Sequence, residues 1–175
     1  GAIAQRFACE GAKLAIVDID IEAAASRARQ LAAEGTDAIS LFADVTNKQS
    51  VTDMVRATLD RWNRIDILVN VAGGADRKLV IDITAADWDR VVDMNLKSVF
   101  LCSQAVLPAL LKQHYGKILN ISSIYGFTGN ATRSSYAAAK AGVAAFTKSL
   151  ETPRVRGHYS DKAWAAAVAQ IPMGR

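Results

Sequence analysis

Residues 13–42 read KLAIVDIDIEAAASRARQLAAEGTDAISLF, and they set the pattern that the rest of the chain repeats. Lys13 to Val17 is a short apolar run that ends at Asp18, the length and composition of a strand. Ile21 to Glu34 is rich in Ala, a strong helix former, and Gly35 stops it, which predicts a helix. Ala38 to Phe42 reads as a second strand. Two strands separated by a helical crossover cannot be joined as a hairpin, so they lie parallel.

The alternation extends in both directions. Ala2 to Glu10 is expected to be helical, with Ile3 and Phe7 on one face and Gly11 at its end. Lys48 to Trp62 is a helix with Thr46 or Asn47 near its cap, and Ile65 to Asn70 is a strand. Two helices follow, from about Ala85 to Asp93 and from Leu96 to Gln113. Lys117 to Ile121 is a strand, and Ser135 to Leu150 a helix. The expected fold is a doubly wound α/β domain, a parallel sheet with helices on both faces. At 175 residues and 51% apolar composition, one domain over 1–175 is expected, with no repeats and no linker.

The net charge of +4 comes from Lys and Arg interspersed with Asp and Glu, except for Arg154, Arg156 and His158. Without an aromatic-interleaved basic face, no nucleic-acid partner is expected. No apolar run approaches the roughly 20 residues of a membrane span, and no secretory signal opens the chain. A soluble, cytoplasmic protein with no membrane partner is expected. Cys9 and Cys102 stand apart from each other and from any His/Asp cluster, so buried reduced thiols and no metal are expected.

Ligands of open α/β sheets bind beyond the carboxyl ends of the strands. Asp18 lies at such an end, where a carboxylate accepts hydrogen bonds from both hydroxyls of an adenosine ribose and faces a 2′-phosphate unfavourably. It favours NAD over NADP, and a simple turn or cap role stays open. Asp44 and Val45 follow the second strand. Asn70-Val71-Ala72-Gly73-Gly74 follows the third, with small residues that let a ligand approach the backbone, or make an ordinary turn.

The strongest signal comes later. Tyr136 and Lys140 are four apart on a helix and share one face. An ammonium beside a phenol stabilises phenolate. Lowering the phenol pKa by about 3 units takes roughly 4 kcal/mol, which a Lys and an oxidised nicotinamide can share. Tyr136 can then transfer a proton near neutral pH. Around it stand Ala137, Ala138, Ala139, Ala141 and Gly142. Ser123 precedes Tyr136 by 13 residues, and Asn95 lies upstream.

Over residues 1 to 150 the chain resembles the single-domain short-chain dehydrogenase/reductase family, whose fold is Rossmann-like. The family's cooperating Asn, Ser, Tyr and Lys match Asn95, Ser123, Tyr136 and Lys140. The resemblance implies that Asp18 contacts the adenosine ribose, that Asp44 and Val45 hold the adenine, and that Asn70, Ala72 and Gly73 line the cofactor path. It implies hydride transfer between nicotinamide and a carbinol or carbonyl carbon, with a small-molecule alcohol or ketone as partner. Tyr136 exchanges the proton, Ser123 bonds the substrate oxygen, Lys140 binds the nicotinamide ribose, and Asn95 helps hold a water. Subunit contacts through the helices of Ser98 to Gln113 and Ser135 to Leu150, giving a homodimer or homotetramer, are implied too.

Three departures from the family accompany the match. Its first strand and Thr-Gly-x-x-x-Gly-x-Gly phosphate loop would precede Ala2 and are absent, so no glycine here is assigned to pyrophosphate. That strand is central in the 3-2-1-4-5 order, so the strands ending at Asp18 and Asn70 are expected to lose their shared neighbour. After Leu150 roughly twenty residues, about a helix end, a strand and a loop, are skipped. Glu151 to Arg154 then resembles the residues just after the family's Pro-Gly turn, which makes Thr152 the carboxamide contact. The chain stops at Arg175, before the last helix and strand. The expectation is a sequence that joins ordered segments of a longer protein, which an intact mass above 18.7 kDa would support. Residues 152–175 are expected to form a substrate lid with a short helix from Asp161 to Gln170, in which Trp164 and Val168 pack in the core and His158 and Tyr159 are candidate substrate contacts.

Two other activities are weighed. A 3-oxoacyl-carrier-protein-type reductase would use Arg154 and Arg156 on an acidic carrier, a role associated with NADP that Asp18 argues against. A dinucleotide-binding regulatory protein without catalysis is the third reading. The joint presence of Asn95, Ser123, Tyr136 and Lys140 speaks against it.

Overall fold

The computed structural model describes residues 1–150; Thr152 and the expected lid, including His158, Tyr159, Trp164 and Val168, lie outside the described residues. In chain order the elements are α1 (Ala2–Cys9), β1 (Leu14–Asp18), α2 (Ile21–Ala33), β2 (Ala38–Phe42), α3 (Lys48–Trp62) and β3 (Ile67–Asn70). A 3-10 turn (Val80–Asp82), α4 (Ala85–Val92), a π-helical segment (Asp93–Lys97), α5 (Ser98–Gln113), β4 (Lys117–Asn120), α6 (Tyr125–Thr128) and α7 (Ser134–Ser149) follow.

Local chemistry fixes the helix ends. The Asp20 carboxylate accepts from the amides of Glu22 and Ala23 at the start of α2, and the Asn47 side chain accepts from Ser50 N at the start of α3. Thr84 and Asp87 form a reciprocal capping box at α4. Gly11 and Gly35, at φ 77° and 90°, turn the chain out of α1 and α2 in a conformation that favours glycine.

Both strand pairs are parallel, as the alternation of elements requires. Leu14 pairs with Ala38 through to Asp18 with Phe42, and Ile67 pairs with Lys117 through to Asn70 with Asn120. Among the described residues the strands form two separate two-stranded sheets, β1–β2 and β3–β4. The strands ending at Asp18 and Asn70 share no neighbour, as their sequence context predicts. One apolar cluster nevertheless joins the halves. Val51, Met54 and Val55 of α3 pack with Leu101, Cys102, Val106 and Leu110 of α5, and this core meets Val17 and Leu41 on one side and Leu68 and Ile118 on the other. Fully burying a Val or Leu side chain contributes about 1.5–3 kcal/mol, so this cluster is what holds the two sheets in one body.

Two expectations need correction. Cys102 is buried, but Cys9 is exposed, because the last turn of α1 turns no buried residue toward the core. The segment from Ala85 to Gln113 is one continuous helical rod, not two helices, since the π turn bridges the break expected at Met94. The rod is 29 residues, and an 18-residue window of it has mean hydropathy 1.3, so by length and composition it could cross a membrane. The apolar stripe is that of a core helix, with Val91, Val99, Cys102, Val106 and Leu110 buried.

Candidate active site

α7 brings Tyr136 and Lys140 onto one face, with the Lys140 ammonium 5.7 Å from the centroid of the Tyr136 ring. Lys140 is only 4% exposed. Its Nζ donates to the carbonyl oxygen of Ile121 at 2.7 Å, which holds the ammonium at the end of β4. Burial pushes the Lys140 pKa below its ordinary value, because the charged form loses hydration.

Asn95 sits in the π turn and is fully buried. Its Nδ2 donates to Gly74 O at 2.7 Å and to Val91 O at 2.8 Å, while its Oδ1 has no partner. A buried acceptor left unpaired costs about 1–3 kcal/mol, so this oxygen is set up to receive a hydrogen bond from water or a bound group. Gly73 closes the arrangement. A Cβ there would lie 2.5 Å from Asn95 Oδ1, too close for the amide to stay where it is, while Lys140 Nζ at 3.5 Å would be in ordinary contact. π turns of this kind recur at functional sites, where the widened turn re-aims a side chain.

Together these residues line a cleft of about 430 Å³, whose walls include Gly73, Asn95, Ile121, Tyr136 and Lys140. The loop after β4 is pressed onto α7 beside it. Ser122 Oγ donates to Lys140 O at 2.8 Å, and Gly126 of α6 lies so close to the backbone of Lys140 and Ala141 that a Cβ would come within 2.8 Å of Ala141 N. Ser123 follows in this loop; its Oγ accepts from Tyr125 N at 3.3 Å, and it stands just outside the cleft lining.

The remaining residues singled out in the sequence lie along the strand ends. Asp18 is exposed, and one oxygen accepts from Asp20 N at 3.0 Å. Asp44 accepts from the amide and hydroxyl of Thr46, at 2.9 and 2.7 Å, in the turn that enters α3. Val45 packs against the core. Asn70 Nδ2 donates to Asn120 Oδ1 at 2.8 Å, and Asn120 Nδ2 donates to Thr147 Oγ1 at 3.0 Å, so Asn70 serves to tie β3, β4 and α7 together. Ala72 is exposed beside Gly73. Sequence reasoning missed Ser122, Arg77 and Arg133. The signal for Arg133 was its place just ahead of Tyr136 on the same helix. Among the described residues no group of three or more His, Cys, Asp or Glu side chains is placed to hold a metal ion.

The residues present fit a nicotinamide dinucleotide on the strength of the unpaired Asn95 oxygen, the side-chain-free backbone at Gly73 beside it and the buried Lys140 ammonium. Comparison with known proteins agrees. The chain matches the short chain dehydrogenase family over residues 1–155. It is 44% identical over 121 residues to a 3-oxoacyl-[acyl-carrier-protein] reductase of Synechocystis sp., covering 69% of this chain and 49% of that protein. It is 39% identical over 174 residues to the (2S)-[(R)-hydroxy(phenyl)methyl]succinyl-CoA dehydrogenase subunit BbsD of Thauera aromatica, covering 97% of this chain and 68% of that protein. Against a 3-oxoacyl-[acyl-carrier-protein] reductase of Thermotoga maritima the identity is 33% over 188 residues, covering 97% of this chain and 76% of that protein. The chain thus spans about half the length of the Synechocystis relative and more of the other two. With its α/β architecture and the meeting of Asn95, Tyr136 and Lys140 at one cleft, this chain belongs to the short-chain dehydrogenase/reductase family.

Proposed function

We propose that the protein is an NAD(H)-dependent oxidoreductase that interconverts a secondary alcohol and the matching ketone, with Tyr136 as the group that gives or takes the proton. The observation that carries this reading is the convergence of Tyr136, Lys140, Asn95 and Gly73 on one cleft. The nicotinamide, when bound, supplies the hydride acceptor or donor. The residues of the chain do the rest. Lys140, held by Ile121 O, keeps an ammonium group beside the Tyr136 ring. Its remaining donors suit the nicotinamide ribose hydroxyls. The free Asn95 Oδ1 accepts from a water that connects Lys140 with solvent, so a proton lost at Tyr136 is replaced. Ser123, which stands at the edge of the cleft rather than in its lining, is the proposed donor to the substrate oxygen as charge develops there.

NAD is the proposed cofactor because the exposed Asp18 carboxylate at the end of β1 repels a 2′-phosphate. NADH and NADPH fluorescence titrations check this. Equal or tighter NADPH binding would remove Asp18 from the argument. The chemistry is tested by Tyr136→Phe, which should abolish turnover across a panel of alcohols and ketones followed at 340 nm while NADH binding stays intact. Unchanged turnover would eliminate the proposed role.

A second reading is supported by the similarity to proteins named as 3-oxoacyl-[acyl-carrier-protein] reductases. It predicts that a 3-oxoacyl thioester on a carrier protein is reduced far faster than a free ketone. We also read α5 and α7 as subunit contacts of a homodimer or homotetramer. Phe100 is 41% exposed there and meets Phe146 edge-on at 6.2 Å.

A further inference from the structure

The cleft that holds Tyr136 is lined by three cations, Arg77, Arg133 and Lys140, and by no aspartate or glutamate among the described residues. Lys140 is engaged with Ile121 O. Among the described residues neither arginine forms an ion pair. Their neighbours show how this surface otherwise balances its charge: Lys78 Nζ meets Asp87 at 2.7 Å, and Arg90 pairs with Asp76 and Asp87. Arg77, between Asp76 and Lys78, forms no ion pair among the described residues, because Asp76 is taken by Arg90. The Arg133 guanidinium lies over the Tyr125 ring, 5.4 Å from its centroid, a contact that orients it without cancelling its charge.

Position adds to charge. Arg133 is the N-cap residue of α7, one turn before Tyr136, at the positive end of the helix dipole. Gly73, Gly74 and Ala75 line the same cleft and bring no long side chain into it. A planar guanidinium matches a carboxylate through two parallel hydrogen bonds, and unpaired cations in a concave site attract an anion.

We propose that the site takes a carbonyl or carbinol substrate that also carries a carboxylate, held by Arg133 with Arg77 while the reacting oxygen meets Tyr136. This deepens the reading of Tyr136 as the proton-transfer group and rests on it for the reacting end of the substrate. The carboxylate-binding end has its own test. Acetoacetate and its neutral ethyl ester present the same ketone with and without the charge. Each is titrated calorimetrically into the full-length protein with saturating NAD, a combination that cannot turn over. Acetoacetate should bind about tenfold or more tighter than the ester, in keeping with the strength of charged hydrogen bonds. Arg133→Gln and Arg77→Gln should each lower acetoacetate affinity by about the same factor. Ester and NAD affinities should hold, which also reports that the variants are folded, and Arg133→Lys should restore part of the loss.

Equal binding of acid and ester overturns the proposal, as does no detectable binding of either. A parallel loss of NAD affinity in the arginine variants also overturns it, because it assigns the charge to the dinucleotide phosphates. Turnover separates the two claims. Selective, arginine-dependent binding of acetoacetate without reduction by NADH upholds the anion site and sinks the oxidoreductase reading. Reduction of acid and ester with equal efficiency does the reverse.

Discussion

Gly126→Ala adds a methyl group against the backbone of α7, and Gly142→Ala adds one on α7 itself against the Leu96 side chain, so the two should differ in the size of their consequence. At Gly126 the new Cβ would lie 2.8 Å from Ala141 N, 2.9 Å from Lys140 C and 3.1 Å from Lys140 O. Comfortable contacts need about 3.5 Å or more, so at least half an ångström must be found, and the obstructing atoms are helix backbone. Relief means moving α6 bodily. Overpacking of this kind costs about 1–3 kcal/mol. At Gly142 the nearest atom is Leu96 Cδ2 at 2.7 Å, the end of a side chain that can rotate. Alanine also improves helix propensity there by about 1 kcal/mol, which offsets much of the cost. Thermal unfolding followed by circular dichroism should show Gly126→Ala lower in Tm by about 3–10 °C, with Gly142→Ala within a few degrees of wild type. Because α6 carries the amide that bonds Ser123 Oγ, kcat should fall further than KM rises in the first variant. A Gly126→Ala protein as stable as wild type, or a larger loss at Gly142, would refute the distinction between backbone and side-chain obstruction.

Other expectations can be checked alongside. Burial pushes the Cys102 thiol up to about 11, so above the ordinary thiol range the unfolded chain gives up its proton first and folding stability falls as pH rises from about 9 to 11. Cys102→Val should flatten that fall by up to about 3 kcal/mol in urea titrations; identical slopes for variant and wild type would contradict the assignment. Ellman's reagent should titrate one thiol in the native protein, Cys9, and a second only after unfolding; two fast-reacting thiols would show that Cys102 is accessible. Asn120→Leu leaves the Asn70 amide and the Thr147 hydroxyl without their shared partner and should lower the urea midpoint by the equivalent of about 1–3 kcal/mol with little change in m.

Much of the fold was legible because its signals are local. Apolar runs such as Ala38 to Phe42, caps such as Asn47, and the stops at Gly11 and Gly35 act within a few residues, and the elements begin and end within a residue or two of where these place them. Shorter or mixed signals were not legible. α6 is four residues with a glycine inside, indistinguishable from a loop until its docking on Lys140 and Ala141 is seen. Cys9 belongs to a helix that buries none of its residues, which its apolar composition does not disclose. In the site, the helical spacing of Tyr136 and Lys140 was weak evidence alone and became readable only in company with Ser123 and Asn95. The Lys140 bond to Ile121 O, the unpaired oxygen of Asn95 and the meeting of Arg77 with Arg133 at one cleft arise from segments far apart in sequence, so only folding reveals them.

The π turn at Asp93–Lys97 also acts as a phase adapter. A helix advances about 100° per residue, so one residue more in a turn rotates everything beyond it by that amount. Upstream of the turn, α4 faces α7; downstream, α5 faces α3 and β3. A single straight α-helix through the same residues would set one of these faces off by more than a quarter turn. Removing one residue from 93–97 would therefore do more than shorten a rod: it would regularise the helix and unlock the two halves from each other, with Asn95 swung away from Gly73 as the first casualty. Any transplant of this site onto another scaffold has to carry Ala85–Gln113 as one uncut piece.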